Sequence, residues 1–266
     1  MTTNTSRPVA LITGASTGIG AIYADRLARR GYDLILVARN QSRLEKVADI
    51  IKENTGAEIT IIKADLAQSA DLRQVEAVLR QKESKISLLV NNAGFGSVFP
   101  LLNANVDEME NMIDVNVTAL TRLTYAAVPG FVARGHGGVI NISSIAAINT
   151  SVLNDVYSAS KAYVLAFTQS LHHQLADKGV QVQAVLPGAT ATEFWDVAGT
   201  ASSNLPEQWV MSAEAMVDAA LAGFEQGEIV TIPPLHNGDN WLAYEAARSD
   251  LATQFGNNTP CARYLS

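Results

Sequence analysis

The chain has 266 residues, 48% of them hydrophobic and 17% charged, with a net charge of −7. That apolar content supports a large buried core and excludes intrinsic disorder, and the acidic balance without any dense basic run excludes a nucleic-acid surface. Cys261 is the only cysteine, residues 1–8 lack the apolar core of a signal peptide, and no apolar run approaches the ~20 residues of a membrane span; a cytoplasmic protein without membrane contact is expected.

Short β-branched runs alternate with longer helical stretches. Residues 9–13 form a continuous apolar run, as a strand buried on both faces requires. A glycine-rich turn follows, then a helix over 19–30 that stops at Gly31. The pattern next predicts a strand at 33–38, a helix at 41–54, a strand at 58–62, a helix at 70–82 and a strand at 86–90. The second half repeats the rhythm: one long, mostly helical segment over 106–134, a strand at 139–142, a helix at 155–178 and a strand at 180–186. A helix at 212–226, a strand at 228–232 and a helix at 241–251 complete it. This alternation predicts an α/β fold, a single Rossmann-like, doubly wound parallel sheet with helices on both faces. No linker or repeat interrupts it, so 1–266 reads as one domain. Residues 190–212 are less regular and read either as a substrate lid or as a surface loop.

The turn after the first strand reads Thr13-Gly14-Ala15-Ser16-Thr17-Gly18-Ile19-Gly20. Small residues let the backbone approach a pyrophosphate, and the helix that follows offers free N–H groups and a positive dipole end. The spacing is Gly-x-x-x-Gly-x-Gly, not the Gly-x-Gly-x-x-Gly of the usual dinucleotide fingerprint. The end of the second strand selects the cofactor. An NAD site wants an acid there, for the ribose hydroxyls, but Ala38, Arg39 and Asn40 occupy the place. Arg39 can pair bidentately with a 2′-phosphate, with Arg43 at hand, so NADP(H) is the expected cofactor. Asp65-Leu66 after the third strand fits an adenine contact, and equally a cap for the helix that follows.

Tyr157 and Lys161 stand four apart on a predicted helix and so share a face. A phenol of pKa ~10 is a poor base at neutral pH, and lowering it by ~2–3 units needs about 3–4 kcal/mol. An ammonium at ~4 Å, at an effective dielectric near ~20, supplies about that much. Lys161 is thus expected to tune Tyr157 as acid–base. Ser143 or Ser144 ends the preceding strand.

In order along the chain, Thr13 to Gly20, Asn91-Asn92-Ala93-Gly94, Asn116, Ser143-Ser144, Tyr157-x-x-x-Lys161 and Pro187-Gly188-x-x-x-Thr192 resemble the motifs of the short-chain dehydrogenase/reductase family. The resemblance covers most of the chain. It implies hydride transfer between nicotinamide and a carbonyl or secondary alcohol carbon. It picks Ser144, thirteen residues before the tyrosine, as the donor to the substrate oxygen, and it implies that Asn116 holds a water beside Lys161. The catalytic set is then Asn116, Ser144, Tyr157 and Lys161. The cofactor set is Gly14, Ser16, Thr17, Gly18, Ile19, Gly20, Arg39, Asp65, Leu66, Asn92, Ala93, Gly94, Tyr157, Lys161, Pro187, Gly188 and Thr192. Thr192 would hold either the carboxamide or the phosphates, and Asn91 reads as structural.

His136, His172, His173 and His236 form no ligand set, so no metal is expected. Small and apolar residues on several faces of the helix after Tyr157 suit packing between copies, as family members commonly do, and a homodimer or homotetramer is expected. Phe194, Trp195, Val197, Leu205, Trp209, Val210 and Met211 fit an apolar substrate lid or core packing, pointing to a medium-sized apolar carbonyl substrate. The rival from another class is a non-catalytic NADP(H) sensor, which has no need of Ser144, Tyr157 and Lys161 together. Epimerases and dehydratases resemble the branch with Gly-x-x-Gly-x-x-Gly, which this chain lacks.

Overall fold

A computed structural model of the chain describes residues 7–81, 84–151 and 153–265. They gather into two compact units, one ending at Pro233 and one beginning at Pro234.

The first unit holds strands β1 (Val9–Thr13), β2 (Asp33–Ala38), β3 (Ile59–Lys63), β4 (Ile86–Asn91), β5 (Gly137–Ile142) and β6 (Val180–Val185). Two further strands, β7 (Thr190–Ala191) and β8 (Met211–Ser212), pair only with each other, and β9 (Val230–Thr231) closes the main sheet at its edge. The main sheet has the order β3-β2-β1-β4-β5-β6-β9 and every pairing is parallel. The doubly wound architecture expected from the alternation is what the chain adopts. The order reverses between β1 and β4, and in such sheets ligands bind at that reversal, outside the carboxyl ends of the strands.

Side-chain alternation along the strands feeds two cores. Ala10 and Ile12 of β1 join one, while Leu11 joins the other. The first packs α1 (Gly18–Arg29), α2 (Gln41–Thr55) and α8 (Ala213–Glu225) on one face. The second packs α3 (Ser69–Leu79), α5 (Leu120–Arg134) and α6 (Asp155–Leu175) on the other. A third, smaller cluster of Met109, Met112, Ala146 and Tyr157, with Phe95, Leu153, Val156 and Phe194 against it, involves α4 (Val106–Ile113) and α7 (Phe194–Ala198).

The segment 106–134 is helical throughout, as expected, with a π-helical stretch, Asp114–Ala119, between α4 and α5. Three boundaries are corrected. The first of the long second-half helices after that segment, α6, ends at Leu175, because Lys178 N–H folds back onto the Leu175 carbonyl in a turn. The last sheet strand shrinks to two residues, since only Val230 and Thr231 stand in register opposite β6. The helix beginning near residue 70 ends at Leu79; Lys82, placed at its end by the pattern, lies outside the described residues.

The second unit contains α9 (Asp239–Thr253), with Trp241 stacked on Tyr244 at 5.3 Å between ring centroids and no residue buried.

Inside the first core the hydroxyl of Tyr23 is wholly buried and finds no hydrogen-bond partner among the described residues. Such a group bears its desolvation cost without return. Tyr23→Phe is therefore expected to raise the unfolding free energy by about 1 kcal/mol in urea titration; a lowered midpoint would contradict the orphan status of that hydroxyl.

Candidate active site

The cofactor end is built at the sheet's reversal. Gly14 and Gly18 take φ of +66° and +52°, and a Cβ on Gly20 would collide with the Gly14 carbonyl and the Asn92 amide. The turn is clamped to β4: Asn92 Nδ2 donates to the carbonyls of Thr13 (2.8 Å) and Gly14 (3.2 Å), while Thr13 Oγ1 accepts from Asn92 N–H and Ala93 N–H, each at 3.0 Å. Asn92 thus acts by holding the glycine turn in place. Helix α1 starts beyond it with no side-chain cap from Thr17 and no acid in its first turn. Its leading N–H groups and dipole therefore face the turn uncompensated, which suits an anion. Ser16, Thr17, Gly18 and Ile19 are all part-exposed there.

Asn91 sits on β4 directly opposite Asn141 of β5. Its amide donates to Asn141 Oδ1 (2.9 Å) and Thr124 Oγ1 (3.1 Å), and Asn141 donates on to Thr168 (2.9 Å). This buried polar row ties α5 and α6 to the sheet, the structural role its sequence position suggested.

At the end of β2, Arg39 is exposed. Arg43, in the first turn of α2, is paired with Glu193 at 2.5 Å. Asp65 Oδ1 accepts from Ala67 N–H at 3.1 Å, a turn that leads into α3, and Leu66 is buried in the second core. Asp65 closes a local turn but does not cap α3, whose N-cap is Gln68 with no side-chain cap bond. Pro187 O accepts from Ile145 N–H, Gly188 O accepts from Thr190 Oγ1, and the Thr192 methyl lies against Gly18.

The catalytic end is organised by α6. Asn154 caps it, accepting from Tyr157 N–H at 2.9 Å. Nothing in the motifs marked Asn154; an asparagine just before the helical run was the signal available. Lys161 is 5% exposed and its Nζ donates to the Ile142 carbonyl at the end of β5 (3.0 Å). Ser143 Oγ donates to the Lys161 carbonyl at 2.7 Å, fixing the backbone from below, so Ser143 supports the lysine. Ser144, the next residue, accepts from Ala146 N–H, and its hydroxyl acts on the nearby Tyr157 phenol, favouring its ionised form.

Asn116 lies in the π-helical stretch, a kind of distortion that clusters at functional sites. Its amide brackets the Phe95 backbone, accepting from Phe95 N–H (3.1 Å) and donating to Phe95 O (2.9 Å), and it also donates to Ser160 Oγ (3.1 Å). Gly94 lies above both: a Cβ there would stand 2.9 Å from Asn116 Oδ1 and 3.3 Å from Lys161 Nζ. Any side chain at 94 would fill the space over the lysine. Asn116, Gly94, Lys161 and Tyr157 are thus brought together, with the Lys161 ammonium 5.6 Å from the centre of the Tyr157 ring.

The electrostatic balance differs from the simple pair estimate. Burial pushes the Tyr157 phenol up to about 12, with the Ser144 hydroxyl pulling the other way, and burial pushes Lys161 down to about 8. Within the polypeptide, desolvation of the phenol outweighs the opposing pull of Ser144.

Lys161 binds fewer protons folded than unfolded between pH ~8 and ~10.5, so stability rises with pH across that window. Tyr157 works oppositely, only above ~10. Relative to Lys161→Met, wild-type protein is expected to gain about 2 kcal/mol of unfolding free energy from pH ~8 to ~10 by denaturant titration; parallel curves would show that the lysine is solvated.

A family model described as short chain dehydrogenase matches residues 8–202. Among curated proteins, the very-long-chain 3-oxoacyl-CoA reductases of Anas platyrhynchos and Homo sapiens are 35% and 34% identical over 77% of this chain. The chain spans about two thirds of the length of those relatives. Among solved structures, a short-chain dehydrogenase from Sphingobium yanoikuyae in complex with NADPH is 44% identical, with a TM-score of 0.93, over 97% of this chain and all of that one. A bulky-bulky ketone specific alcohol dehydrogenase from Comamonas testosteroni is 41% identical, with a TM-score of 0.89, over 97% and 99%. The ordered motifs, the sheet and these matches agree, and the chain belongs to the short-chain dehydrogenase/reductase family of oxidoreductases.

Proposed function

We propose that the chain is an NADP(H)-dependent carbonyl reductase acting on ketones that carry two bulky apolar substituents. The observation that carries the reading is the buried Tyr157–Lys161 pair, with Ser144 beside the phenol and the side-chain-free space at Gly94 over the lysine. The glycine turn, the uncapped start of α1 and the side-chain-free space at Gly94 fit a dinucleotide. No acid ends β2, and Arg39 and Arg43 suit a 2′-phosphate. The Sphingobium relative is solved with NADPH. A sensor gains nothing from burying a lysine and a tyrosine side by side, so the non-catalytic alternative has no observation behind it.

When bound, the reduced nicotinamide supplies the hydride. Ser144 donates a hydrogen bond to the substrate oxygen, and Tyr157 donates the proton to it. Lys161 steadies the resulting phenolate by charge. Asn116, locked to the Phe95 backbone, holds the wall beside Lys161. Phe95, Leu153, Val156, Phe194 and Met109 pack with Tyr157 into one apolar cluster, which is the basis for a bulky ketone, and the Comamonas relative is bulky-bulky ketone specific. A 3-oxoacyl thioester is the second reading, favoured by the curated relatives.

Residues 190–212 are the substrate lid in this reading, within one domain over 1–266. Trp195 is buried, its Nε1 donating to Thr190 O at 2.9 Å, and anchors the segment, while Val197 and Trp209 are exposed. Tyr163, Phe167 and Tyr125 stack along α5 and α6, with Tyr125 66% exposed, an apolar stripe suited to pairing with a second copy as a homodimer or homotetramer. No helix among the described residues is long and apolar enough to cross a membrane, and with a lone cysteine in 266 residues the reading places the enzyme in the cytoplasm.

The test is cofactor consumption with a panel of small and bulky ketones and a 3-oxoacyl thioester, NADPH and NADH in parallel. NADPH turnover is expected with the bulky ketones, and Tyr157→Phe is expected to lower it by about 10²- to 10⁴-fold while retaining NADPH binding. Near-normal turnover by the variant contradicts the role of Tyr157, and a preference for NADH contradicts that of Arg39.

A further inference from the structure

Three consecutive residues beyond the Pro187–Gly188 turn each touch a different part of the groove. The methyl of Thr192 lies on the glycine turn, 3.1 Å from where a Cβ on Gly18 would stand. Glu193 Oε2 accepts from Arg43 Nη1 at 2.5 Å, across 150 residues of sequence. The ring of Phe194 meets that of Tyr157 at 5.7 Å between centroids, and a Cβ on Gly96 would stand 2.6 Å from its Cζ. Phe194 N–H also donates to Thr192 Oγ1 at 3.3 Å.

Most exposed ion pairs are incidental, because two long side chains must surrender their freedom to meet. Here the backbone of Glu193 is held on both sides, by Thr192 on the glycine turn and by Phe194 on the catalytic tyrosine. The carboxylate is delivered to Arg43 by the framework.

We propose that Glu193 sets the strength of cofactor discrimination: its carboxylate occupies Arg43, and the 2′-phosphate of NADP(H) has to displace it. This rests on the NADP(H) reading above. A guanidinium binds a phosphate dianion more strongly than a single carboxylate, so the exchange runs toward the cofactor. Until the exchange occurs, Glu193 both masks a cation and presents a like charge to the arriving phosphate. A dinucleotide with a free 2′-hydroxyl asks nothing of Arg43. A change at Glu193 therefore acts on one cofactor and spares the other, which a merely structural role does not do.

The experiment is equilibrium binding of NADPH and NADH, followed by nicotinamide fluorescence, to wild type, Glu193→Gln, Arg43→Gln and the double variant. Both side chains are about half exposed, 48% for Arg43 and 56% for Glu193, and thermal melting checks that each variant is folded. Glu193→Gln is expected to tighten NADPH by about two- to fivefold, the range of an exposed ion pair, and to leave NADH unchanged. The gain is expected to vanish in the Arg43→Gln background. An equal change for both cofactors, no change, weaker NADPH binding, or a gain that persists without Arg43 overturns the proposal. A wild-type protein that binds NADH more tightly than NADPH overturns the cofactor reading and this proposal with it. NADPH preference that Glu193→Gln leaves untouched overturns the proposal alone.

Discussion

A lysine that is 5% exposed and pairs with no carboxylate among the described residues is costly to bury, and the arrangement of the site follows from how that cost is met. The ammonium is aimed at one backbone carbonyl, that of Ile142, which brings α6 against the carboxyl end of β5. Ser143, the residue after that carbonyl, returns a hydrogen bond to the backbone of Lys161. The two bonds fix the helix in both rotation and translation. Tyr157, one turn earlier, is then placed beside Ser144, and the Asn154 cap settles the turn on which the tyrosine sits. Gly94 completes the arrangement by contributing no side chain above the lysine.

The same logic links the two ends of the groove. Asn92 closes the glycine turn onto the end of β4, and two residues later Gly94 roofs the catalytic lysine. Asn116 grips the backbone of Phe95, the next residue, from a helix locally unwound into π geometry. A single short stretch, residues 91–95, therefore carries the polar row within the sheet, the clamp on the glycine turn and the anchor of Asn116. In the less regular chain beyond β6, Phe194 leans on the tyrosine.

What could be read from the sequence was local. A five-residue apolar run declares β1, a glycine turn between strand and helix declares a phosphate site, and a four-residue spacing puts Tyr157 and Lys161 on one face. The π-helical stretch escaped because the apolar residues over 106–134 keep a helix-like rhythm through it, and one extra residue per turn leaves little trace in periodicity. The Arg43–Glu193 pair joins residues 150 apart, and the bracket of Asn116 on Phe95 is a side chain reaching for a backbone; neither has a pattern in sequence. The tuning of Tyr157 was misjudged for a different reason. Spacing tells how close two charges come, but desolvation depends on everything else packed around them, here Met109, Met112 and Ala146.

In the proposed role of Tyr157 as acid–base, what binds beside the phenol has to bring its pKa down, since burial in the polypeptide pushes it up to about 12. The direct measurement is the ionisation of Tyr157 by ultraviolet difference absorbance against Tyr157→Phe, with and without NADP+. Ionisation well above the ordinary ~10 of tyrosine is expected in the protein alone, with a downward shift when the positively charged nicotinamide is added. Ionisation at or below ~10 without cofactor, or a value indifferent to it, would contradict that role of the cofactor's charge.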